Sequence, residues 1–345
     1  MYLDWNATAP MSSNVREKLQ WANEHCWANP DSQHSLGRRA AVEIEKVREG
    51  LALRLGVRSK SVRFTSGATE SNSWVLRHFK QKGKIACSAV EHPSVFEYGD
   101  IVIPVDANGI IALQEFKRIL EQKKPALVSI MAANNETGVL SPIEEISRIC
   151  RFYQIPFHCD ASQILGRVQP NIPADFITIS GHKFGAPKGV GALIVQQEIS
   201  ALFLGGPQER GSRAGTVNVP SIVAMGEALE QCAVMSSLEQ DLFEEMLLRT
   251  GAQIIGKSVD RLPNTTCALF STPGDLLVMS LDMKDISVST GSACSSGSSK
   301  DSRVLANMGI IGKPVRFSWG PNDSLSSVHK VIESTIEQLE MSCEW

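Results

Sequence analysis

The sequence lacks the paired cysteines that would indicate a zinc site or a disulfide framework. No C-x-x-C pair occurs, and its eight cysteines are scattered over positions 26, 87, 150, 159, 232, 267, 294 and 343. Such scattered cysteines are typical of buried thiols in a reducing compartment. We therefore expect a cytoplasmic protein without a metal site.

An excess of charge and long apolar runs are also missing. With 34 Lys and Arg against 37 Asp and Glu, the net charge is only -3, so neither nucleic acid nor a membrane surface is an expected partner. No apolar run approaches the roughly 18 residues that span a bilayer. The first ten residues, "MYLDWNATAP", contain an acidic residue and no apolar core, unlike a secretory signal. The 345 residues, 43% of them hydrophobic, are enough for two domains.

Short β-branched runs alternate with helical stretches up to about residue 235, which predicts an α/β fold with a mostly parallel sheet between helices. The predicted strands are residues 61–67, 84–90, 101–106, 126–134, 156–162, 175–183 and 190–196. The predicted helices are residues 11–26 (capped by Ser12 or Ser13), 38–56, 113–122, 142–154, 222–232, 236–256 and 324–343. We predict a large domain over 12–235 and a smaller α+β domain formed by 1–11 and 236–345.

In an open α/β sheet, ligands bind beyond the carboxyl ends of the strands, so the polar residues at those ends are of interest. The stretch "FTSGATESN" places Gly67, Ala68 and Thr69 between a strand and a helix. Free N–H groups and the helix dipole attract a phosphate there. The alternative is a plain turn capped by Thr69, and it is not a P-loop because no Gly-Lys-Ser/Thr follows.

Two further strand ends carry an acid and an amine. "HCDASQ" ends in Asp160 with Gln163 three residues on, and a buried carboxylate needs a partner such as a protonated ring nitrogen. A metal pair formed by His158 and Asp160 is the alternative, but no third ligand stands at a suitable spacing. Lys183 follows an apolar strand, where its pKa would be lowered and its amine nucleophilic; the alternative is a lysine that only caps the strand.

A fourth strand end, "AVEHPS", carries His92, which either stacks on a ring and transfers protons or is a structural histidine. The phosphate turn, Asp160 and Lys183 together supply an anion site, a pyridinium partner and an imine-forming amine. These are the three requirements of pyridoxal phosphate.

The stretch "SVSTGSACSSGSSKDS", residues 287–302, surrounds Cys294 with glycines, serines and one alanine. A flexible linker and a small buried cysteine are the ordinary explanations. Neither fits well, because the flanking segments are apolar parts of one folded unit and nothing large surrounds the thiol. The pattern predicts a loop, mobile over about 292–300, that carries a reactive cysteine.

Ten motifs in order, spread over some 320 residues, resemble the cysteine desulfurases of the NifS/IscS type, which are fold-type I pyridoxal phosphate enzymes. The motifs are "YLDWNATAP", "NPDSQHSLGRRA", "FTSGATESN", "EHPSV", "NNETGV", "HCDASQ", "SGHKFGAPKGVGAL", "ERGSRAGT", "STGSACSSGS" and "VRFSWG". The resemblance implies that Lys183 carries the cofactor as an aldimine and that Asp160 pairs with the pyridine nitrogen. Gln163 would hydrogen-bond the ring oxygen, and His92 would stack on the ring and help move protons.

The resemblance also implies the contacts to the phosphate and the substrate. The phosphate would be held by Gly67, Ala68, Thr69, Ser180, His182 and, from the second subunit, Thr216. The carboxylate of L-cysteine would bind to Asn135 and Arg316. The protein would then be a homodimer whose sites contain residues of both subunits.

In that family L-cysteine is converted to L-alanine, and the substrate sulfur passes to a loop cysteine as a persulfide. Here Cys294 would be that nucleophile, and the sulfur would go on to an acceptor protein for iron–sulfur cluster assembly or thio-modification. The long "STGSAC" loop matches the group that donates sulfur directly to scaffold proteins.

A selenocysteine lyase would use the same residues, whereas an aminotransferase needs no loop thiol. A non-catalytic relative would have lost Lys183, Asp160 or Cys294.

Three departures from the family pattern stand out. Pro207 replaces a glycine in "GGPQERG", and Ala9 replaces a threonine in "NATAP". Neither replaces a residue with an implied catalytic role. The sequence ends at Trp345, sooner than housekeeping relatives, whose extension helps to dock the iron–sulfur scaffold. A dedicated or different sulfur acceptor is therefore an alternative to a conventional scaffold.

Overall fold

The computed structural model describes residues 1–291 and 302–343 and contains a large sheet near its centre. The strands of this sheet are β1 (Val62–Thr65), β2 (Ile85–Ser88), β3 (Ile101–Ile103), β4 (Leu127–Ser129), β5 (Phe157–Asp160), β6 (Phe176–Ser180) and β7 (Gly191–Val195). They lie in the order β1-β7-β6-β5-β4-β2-β3. Only β7 runs antiparallel to its neighbours. The predicted mostly parallel seven-stranded sheet is confirmed.

Helices lie along this sheet and bury its apolar side chains. They are α1 (Ser13–His25), α2 (Ser35–Leu55), α3 (Ala68–Lys80), α4 (Pro93–Phe96), α5 (Leu113–Lys123), α6 (Ile143–Phe152) and α7 (Val219–Glu230). The Ser12 hydroxyl accepts a hydrogen bond from the Val15 N–H at 3.2 Å and caps α1, as expected for one of the two candidate residues. No helix within 1–291 and 302–343 is long and apolar enough to cross a membrane.

A second, smaller sheet has its own apolar core. Its antiparallel strands β8 (Gln253–Ile254), β9 (Thr265–Leu269) and β10 (Val315–Ser318) lie in the order β10-β9-β8. The helices of this region are α8 (Leu238–Arg249), α9 (Gly274–Asp282), α10 (Arg303–Asn307) and α11 (Ser326–Cys343). Leu3, Phe243, Phe317 and Trp319 belong to this core. The division into 12–235 and 1–11 with 236–345 stays a prediction, which the separate core supports.

The helix predicted over 236–256 is wrong in its last part. The helix α8 ends at Arg249, and Gly251 adopts a φ of +78°, which favours glycine and ends a helix. The chain then enters the edge strand β8, so the apolar residues after Gly251 pack as a strand.

The strand directions place the functional candidates together. Because β7 is antiparallel to both β1 and β6, these two strands point the same way as β2, β4 and β5. The carboxyl ends of all five therefore meet at one edge of the sheet, which is the edge where open α/β sheets bind ligands.

A buried ion pair joins α2 to the segment that precedes α7. The Arg48 guanidinium donates two hydrogen bonds to the Glu209 carboxylate, at 2.9 and 3.0 Å, and Glu209 also accepts from the Phe64 N–H at 2.7 Å. Both side chains are at most 5% exposed. Glu209 has a φ of +46°, a conformation that a non-glycine residue keeps only when its surroundings hold it.

We expect Glu209→Ala to lower the free energy of unfolding by about 3 kcal/mol, because it removes the buried carboxylate that accepts two hydrogen bonds from Arg48 and leaves the half-exposed Glu45 as its countercharge. Denaturant unfolding of the two proteins measures this difference. Arg118→Ala, which breaks an exposed pair with Glu115 on α5, is the matched control and should change stability much less. An equal effect of both substitutions would contradict the role given to the buried pair.

Candidate active site

The turn between β1 and α3 is built for close approach of an anion. Gly67 has a φ of +152°, and a Cβ added at Gly191 would lie 2.7 Å from the Gly67 Cα, so the two backbones pack directly together. The helix α3 begins at Ala68, and its first N–H groups have no partner inside the helix. Thr69 is exposed in the same turn. Gly67, Ala68 and Thr69 therefore lie at a helix N-terminus that suits an anion, here called the phosphate cradle; that a phosphate binds there stays a prediction.

The segment containing Thr216 is tied to this turn. The Arg213 guanidinium donates to the Glu70 carboxylate at 2.9 Å, and Glu70 also accepts from the Ser66 N–H at 2.8 Å. These hydrogen bonds lower the pKa of Glu70 although burial alone would raise it. Thr216 is exposed three residues after Arg213. Its contribution across a dimer interface stays a prediction.

Asp160 ends β5 and is 5% exposed. Its Oδ1 accepts from the Ser162 hydroxyl at 2.5 Å and from the Ser162 N–H at 3.0 Å, and its Oδ2 accepts from the Asn72 amide at 2.8 Å. No cationic side chain in the described residues forms an ion pair with Asp160 within 4.0 Å. The carboxylate thus has hydrogen bonds but no countercharge, which suits a protonated ring nitrogen.

His158, the alternative metal ligand, is used inside the sheet. Its two ring nitrogens make hydrogen bonds to the Ser129 and Thr178 hydroxyls on the neighbouring strands, at 2.8 and 3.0 Å. Burial lowers its pKa to about 4, so the ring is neutral. These contacts make His158 a structural residue of β5.

Asn72 connects Asp160 to His92, and sequence reasoning missed it. Its amide donates both to Asp160 and, at 2.9 Å, to the Ser94 hydroxyl, which in turn lies 2.8 Å from the Nδ1 of His92. His92 Nδ1 also accepts from the Ser94 N–H, so in the neutral ring this hydrogen-bond pattern assigns the proton to Nε2. Burial, aided by the charges of Lys183 and Arg303, lowers the pKa of His92. The only sequence signal for Asn72 was its place in the motif "TESN".

Lys183 follows β6 in a short 3-10 turn, Gly181–Lys183. Its amine donates to the main-chain oxygens of Asn6, at 2.7 Å, and Ala7, at 3.0 Å. Burial, together with the nearby charges of Arg167 and Arg316, lowers the pKa of Lys183 to about 8. A lysine at this strand end is therefore uncharged far more often at neutral pH than a surface lysine, and is a usable nucleophile.

This pKa predicts the pH dependence of covalent capture. An amine reacts only when deprotonated, so capture of Lys183 in the cofactor-free protein should rise with pH to a midpoint near 8 rather than 10.5. Incubation with pyridoxal phosphate, borohydride reduction and peptide mass spectrometry measure it. Lys188, exposed in the same segment, is the internal control. Capture of Lys183 only above pH 10 would contradict the lowered pKa.

Ser180 and His182 flank Lys183. Ser180 is buried at the end of β6, and the Nδ1 of His182 lies 3.1 Å from the Thr8 hydroxyl. Burial and the neighbouring lysines lower the pKa of His182 to about 4, so the ring is neutral. Both residues therefore offer neutral hydrogen-bonding groups beside the amine.

Arg316 lies on β10 with its guanidinium 1% exposed, beside Asn135. It donates to the main-chain oxygens of Asn135, at 2.8 Å, and Gly291, at 2.6 Å, and pairs with the Asp4 carboxylate. Its Nε has no hydrogen-bond partner among residues 1–291 and 302–343. Asp4 was not predicted; because 312 residues separate it from Arg316, no local pattern shows the contact. The role of Arg316 toward a substrate carboxylate stays a prediction.

Unpaired buried polar atoms test whether pyridoxal phosphate fits this site. The Gln163 amide donates to the Asn6 main-chain oxygen at 3.0 Å, but its Oε1 has no partner in the described part of the chain. Within the same residues, Asn72 Oδ1, Asn6 Oδ1 and Arg316 Nε are also buried and unpaired. Each unpaired group costs about 1–3 kcal/mol unless a polar ligand satisfies it. Pyridoxal phosphate is a polar ligand that needs an amine, a carboxylate and an anion site. Lys183, Asp160 and the turn at Gly67 supply these three groups, so the cofactor fits this site.

Cys294 lies outside the described residues, as does the predicted mobile stretch 292–300, so the structure does not place them. The ends of that segment, Gly291 and Ser302, are described and lie close to Arg316 and Glu136 respectively. The structure thus brings the ends of the Cys294 segment to the residues predicted for substrate binding.

Comparison with known proteins gives a consistent result. The family model described as "Aminotransferase class-V" matches residues 1–331. A cysteine desulfurase IscS of Dictyoglomus turgidum is 36% identical over 375 residues, covering 98% of this chain and 95% of the relative. The structure of a NifS-like protein superposes with a TM-score of 0.89 at 31% identity, covering 99% of both chains. The structure "SspA in complex with cysteine" superposes with a TM-score of 0.83 at 29% identity, covering 93% of this chain and 99% of that one.

Proposed function

The chain belongs to the class-V aminotransferase family, and we propose that it is a pyridoxal phosphate-dependent cysteine desulfurase that transfers sulfur through Cys294. The observation that carries this proposal is the buried Lys183 amine, with its pKa lowered to about 8, at the same sheet edge as Asp160. The similarity to cysteine desulfurases over almost the whole chain supports the substrate. The related structure that contains cysteine supports it further.

The residues at the sheet edge account for each part of the cofactor. Lys183 would hold it covalently, Asp160 would pair with the ring nitrogen, and Gln163 would donate to or accept from the ring oxygen. The phosphate would be held by Gly67, Ala68, Thr69, Ser180 and His182, together with Thr216 of the partner subunit. When bound, pyridoxal phosphate supplies an electron sink for the Cα of an amino acid.

The substrate is held by its carboxylate. Arg316 has an Nε without a partner among the described residues and a planar fork suited to a carboxylate, and it donates to the Asn135 main-chain oxygen, which places Asn135 next to it. Asp4 already compensates part of the Arg316 charge. The substrate carboxylate therefore shares the guanidinium with Asp4 or replaces one of its main-chain partners.

His92 is placed for proton transfer. Its ring is neutral near pH 7 because burial lowers its pKa, and Ser94 fixes the ring through Nδ1. In this tautomer Nε2 carries a proton that the ring can donate, and Nε2 accepts a proton only after its own has left. His92 thus assists when the Cα proton moves and when the Cys294 thiol is deprotonated.

Cys294 accepts the sulfur. Its thiolate attacks the sulfur of L-cysteine, so a new S–S bond forms while the C–S bond of the substrate breaks. The electron pair of the broken bond stays on the three-carbon fragment, which takes up a proton and leaves as L-alanine. The persulfide on Cys294 then passes its terminal sulfur to an acceptor protein or, in vitro, to a thiol reductant.

The oligomeric state, the cellular location and the sulfur acceptor are proposed from the sequence. We propose a homodimer, because Thr216 is exposed within one chain and the resemblance assigns it to the phosphate site of the partner subunit. We propose a cytoplasmic location because the cysteines are scattered without a disulfide pattern. The acceptor is an iron–sulfur scaffold or a thiolation protein. The name of the Dictyoglomus turgidum relative, IscS, supports the first of these.

Sulfide and alanine release from L-cysteine test the proposed function. Purified protein with pyridoxal phosphate and a reductant should release the two products in equal amounts. L-selenocysteine is the comparison substrate, because the same residues would handle it. Release from selenocysteine alone would make the protein a selenocysteine lyase, and an aminotransferase would produce a keto acid instead of alanine.

A further inference from the structure

Glu136 contacts both ends of the segment that contains Cys294. The Ser302 hydroxyl donates to Glu136 Oε2 at 2.5 Å. On the other side Gly291 packs against the same carboxylate, since a Cβ added at Gly291 would lie 3.2 Å from Oε2. Gly291 has a φ of +107°, so both its conformation and this close approach favour glycine. One carboxylate thus brings residues 291 and 302 together.

Each of these two ends is also fixed to the proposed active site. Arg316 donates to the Gly291 oxygen at 2.6 Å. Next to Ser302, the Arg303 guanidinium donates to the main-chain oxygens of Ala89, at 2.6 Å, and Glu91, and lies 3.7 Å from the Phe96 ring centre. Glu91 immediately precedes His92. The two ends therefore sit beside the residues proposed for substrate binding and proton transfer.

Burial makes this use of a carboxylate costly. Glu136 is 6% exposed, and burial raises its pKa although Ser302, Arg316 and Arg303 act in the opposite direction. No ion pair within 4.0 Å joins it to a cation among residues 1–291 and 302–343. An apolar side chain would fill the same space at lower cost. Compared with an apolar side chain, the Glu136 carboxylate adds a hydrogen bond from Ser302 and a close contact with Gly291.

We propose that Glu136 is a positioning residue, which holds the two ends of the Cys294 segment at the substrate site and so sets where the thiol can reach. The inference rests on the proposed function and adds a residue to it. When a chain segment has both ends fixed, its middle is confined near them, and the effective concentration of a group it carries rises. Glu136 contributes to sulfur transfer through this confinement and not by touching the substrate.

Glu136→Ala tests the proposal in the enzyme loaded with pyridoxal phosphate. We expect kcat for sulfide release to fall by about 10- to 100-fold, because misplacing a reacting group by about 1 Å costs up to this much. The KM for L-cysteine should stay within about twofold, since Asn135 and Arg316 remain. Glu136→Gln keeps an oxygen that accepts from Ser302, and should restore most of kcat.

Two further variants separate positioning from stability. Ser302→Ala should lower kcat in the same direction, and the double variant should lower kcat per bound cofactor no further than Glu136→Ala, because both remove the Ser302–Glu136 hydrogen bond. The α10 cap that Ser302→Ala also removes should appear in the thermal midpoint. Glu244→Gln is the matched control: Glu244 is another buried carboxylate that accepts from a hydroxyl, that of Thr266 at 2.9 Å. It should lower the thermal midpoint without changing kcat per bound cofactor.

The proposal is overturned if Glu136→Ala lowers only the thermal midpoint and leaves kcat per bound cofactor within about twofold of the parent. Amide hydrogen exchange over residues 302–307 gives a second readout that needs no activity. Exchange should be faster in Glu136→Ala, because Ser302 both bonds Glu136 and caps α10 through the Leu305 N–H. A parent protein that released no sulfide would defeat the proposed function, while unchanged exchange would defeat the role of Glu136.

Discussion

Lys183→Ala is expected to reduce sulfide release from L-cysteine by at least about 10³-fold, the largest effect of any described residue. Lys183 is the lysine that follows β6 at the sheet edge where Asp160 and Ser180 lie. Removing its amine would remove the proposed covalent attachment of pyridoxal phosphate. Asp160 and the phosphate cradle remain, so non-covalent binding of pyridoxal phosphate should persist at reduced affinity.

Activity and absorbance separate these two effects. Sulfide release is measured at saturating pyridoxal phosphate, and the absorbance of the bound cofactor reports whether it is still held and whether the lysine adduct is lost. Lys188→Ala changes an exposed lysine five residues away and should keep both the activity and the spectrum. If Lys183→Ala kept more than a tenth of the parent activity, an amine other than Lys183 would form the covalent bond to pyridoxal phosphate.

Cys294→Ala is expected to have the next largest effect, a fall of about 10³-fold in sulfide release with the cofactor spectrum unchanged. The thiolate is the nucleophile, so a sulfur acceptor needs an accessible thiol with an ordinary or lowered pKa. Burial raises the pKa of the six cysteines whose side chains the structure describes: Cys26, Cys87, Cys150, Cys159, Cys232 and Cys267. Cys294 is surrounded in sequence by small residues, and no comparable apolar burial is encoded there.

Cys232→Ala is the matched control for Cys294→Ala. Cys232 is half-buried, its pKa is raised to about 11, and it lies after α7. Its substitution should leave sulfide release unchanged. Equal sulfide release by Cys294→Ala and the parent would mean that the protein is a lyase that needs no protein thiol.

The site was most predictable from the sequence where a chemically reactive or charged residue stands at the end of a predicted strand. Asp160 and Lys183 each follow an apolar run that the structure confirms as a strand, and Gly67 lies between a strand and a helix. Because a parallel sheet brings such ends to one edge, three separate motifs predicted one site. The direction of β7 could not be predicted in this way, since its apolar residues look the same in either direction.

The residues that complete the site were not predictable because their contacts are distant in sequence. Asp4 meets Arg316 across 312 positions, and Ser302 meets Glu136 across 166. Asn6 offers its main-chain oxygen to Lys183 and Gln163, a role that no side-chain pattern reveals. Such contacts depend on how the N-terminal segment and the second sheet pack against the first, and hydrophobic periodicity does not encode that.

The central claim is that the sulfur of L-cysteine is transferred to Cys294. A single-turnover reaction without reductant tests it most directly, with alanine quantified and the peptides analysed by mass spectrometry under non-reducing conditions. We predict about one alanine per active site, and a gain of one sulfur atom on the peptide that contains Cys294 and on no other. Alanine formed without added sulfur on Cys294, or added sulfur on another cysteine, would contradict the account.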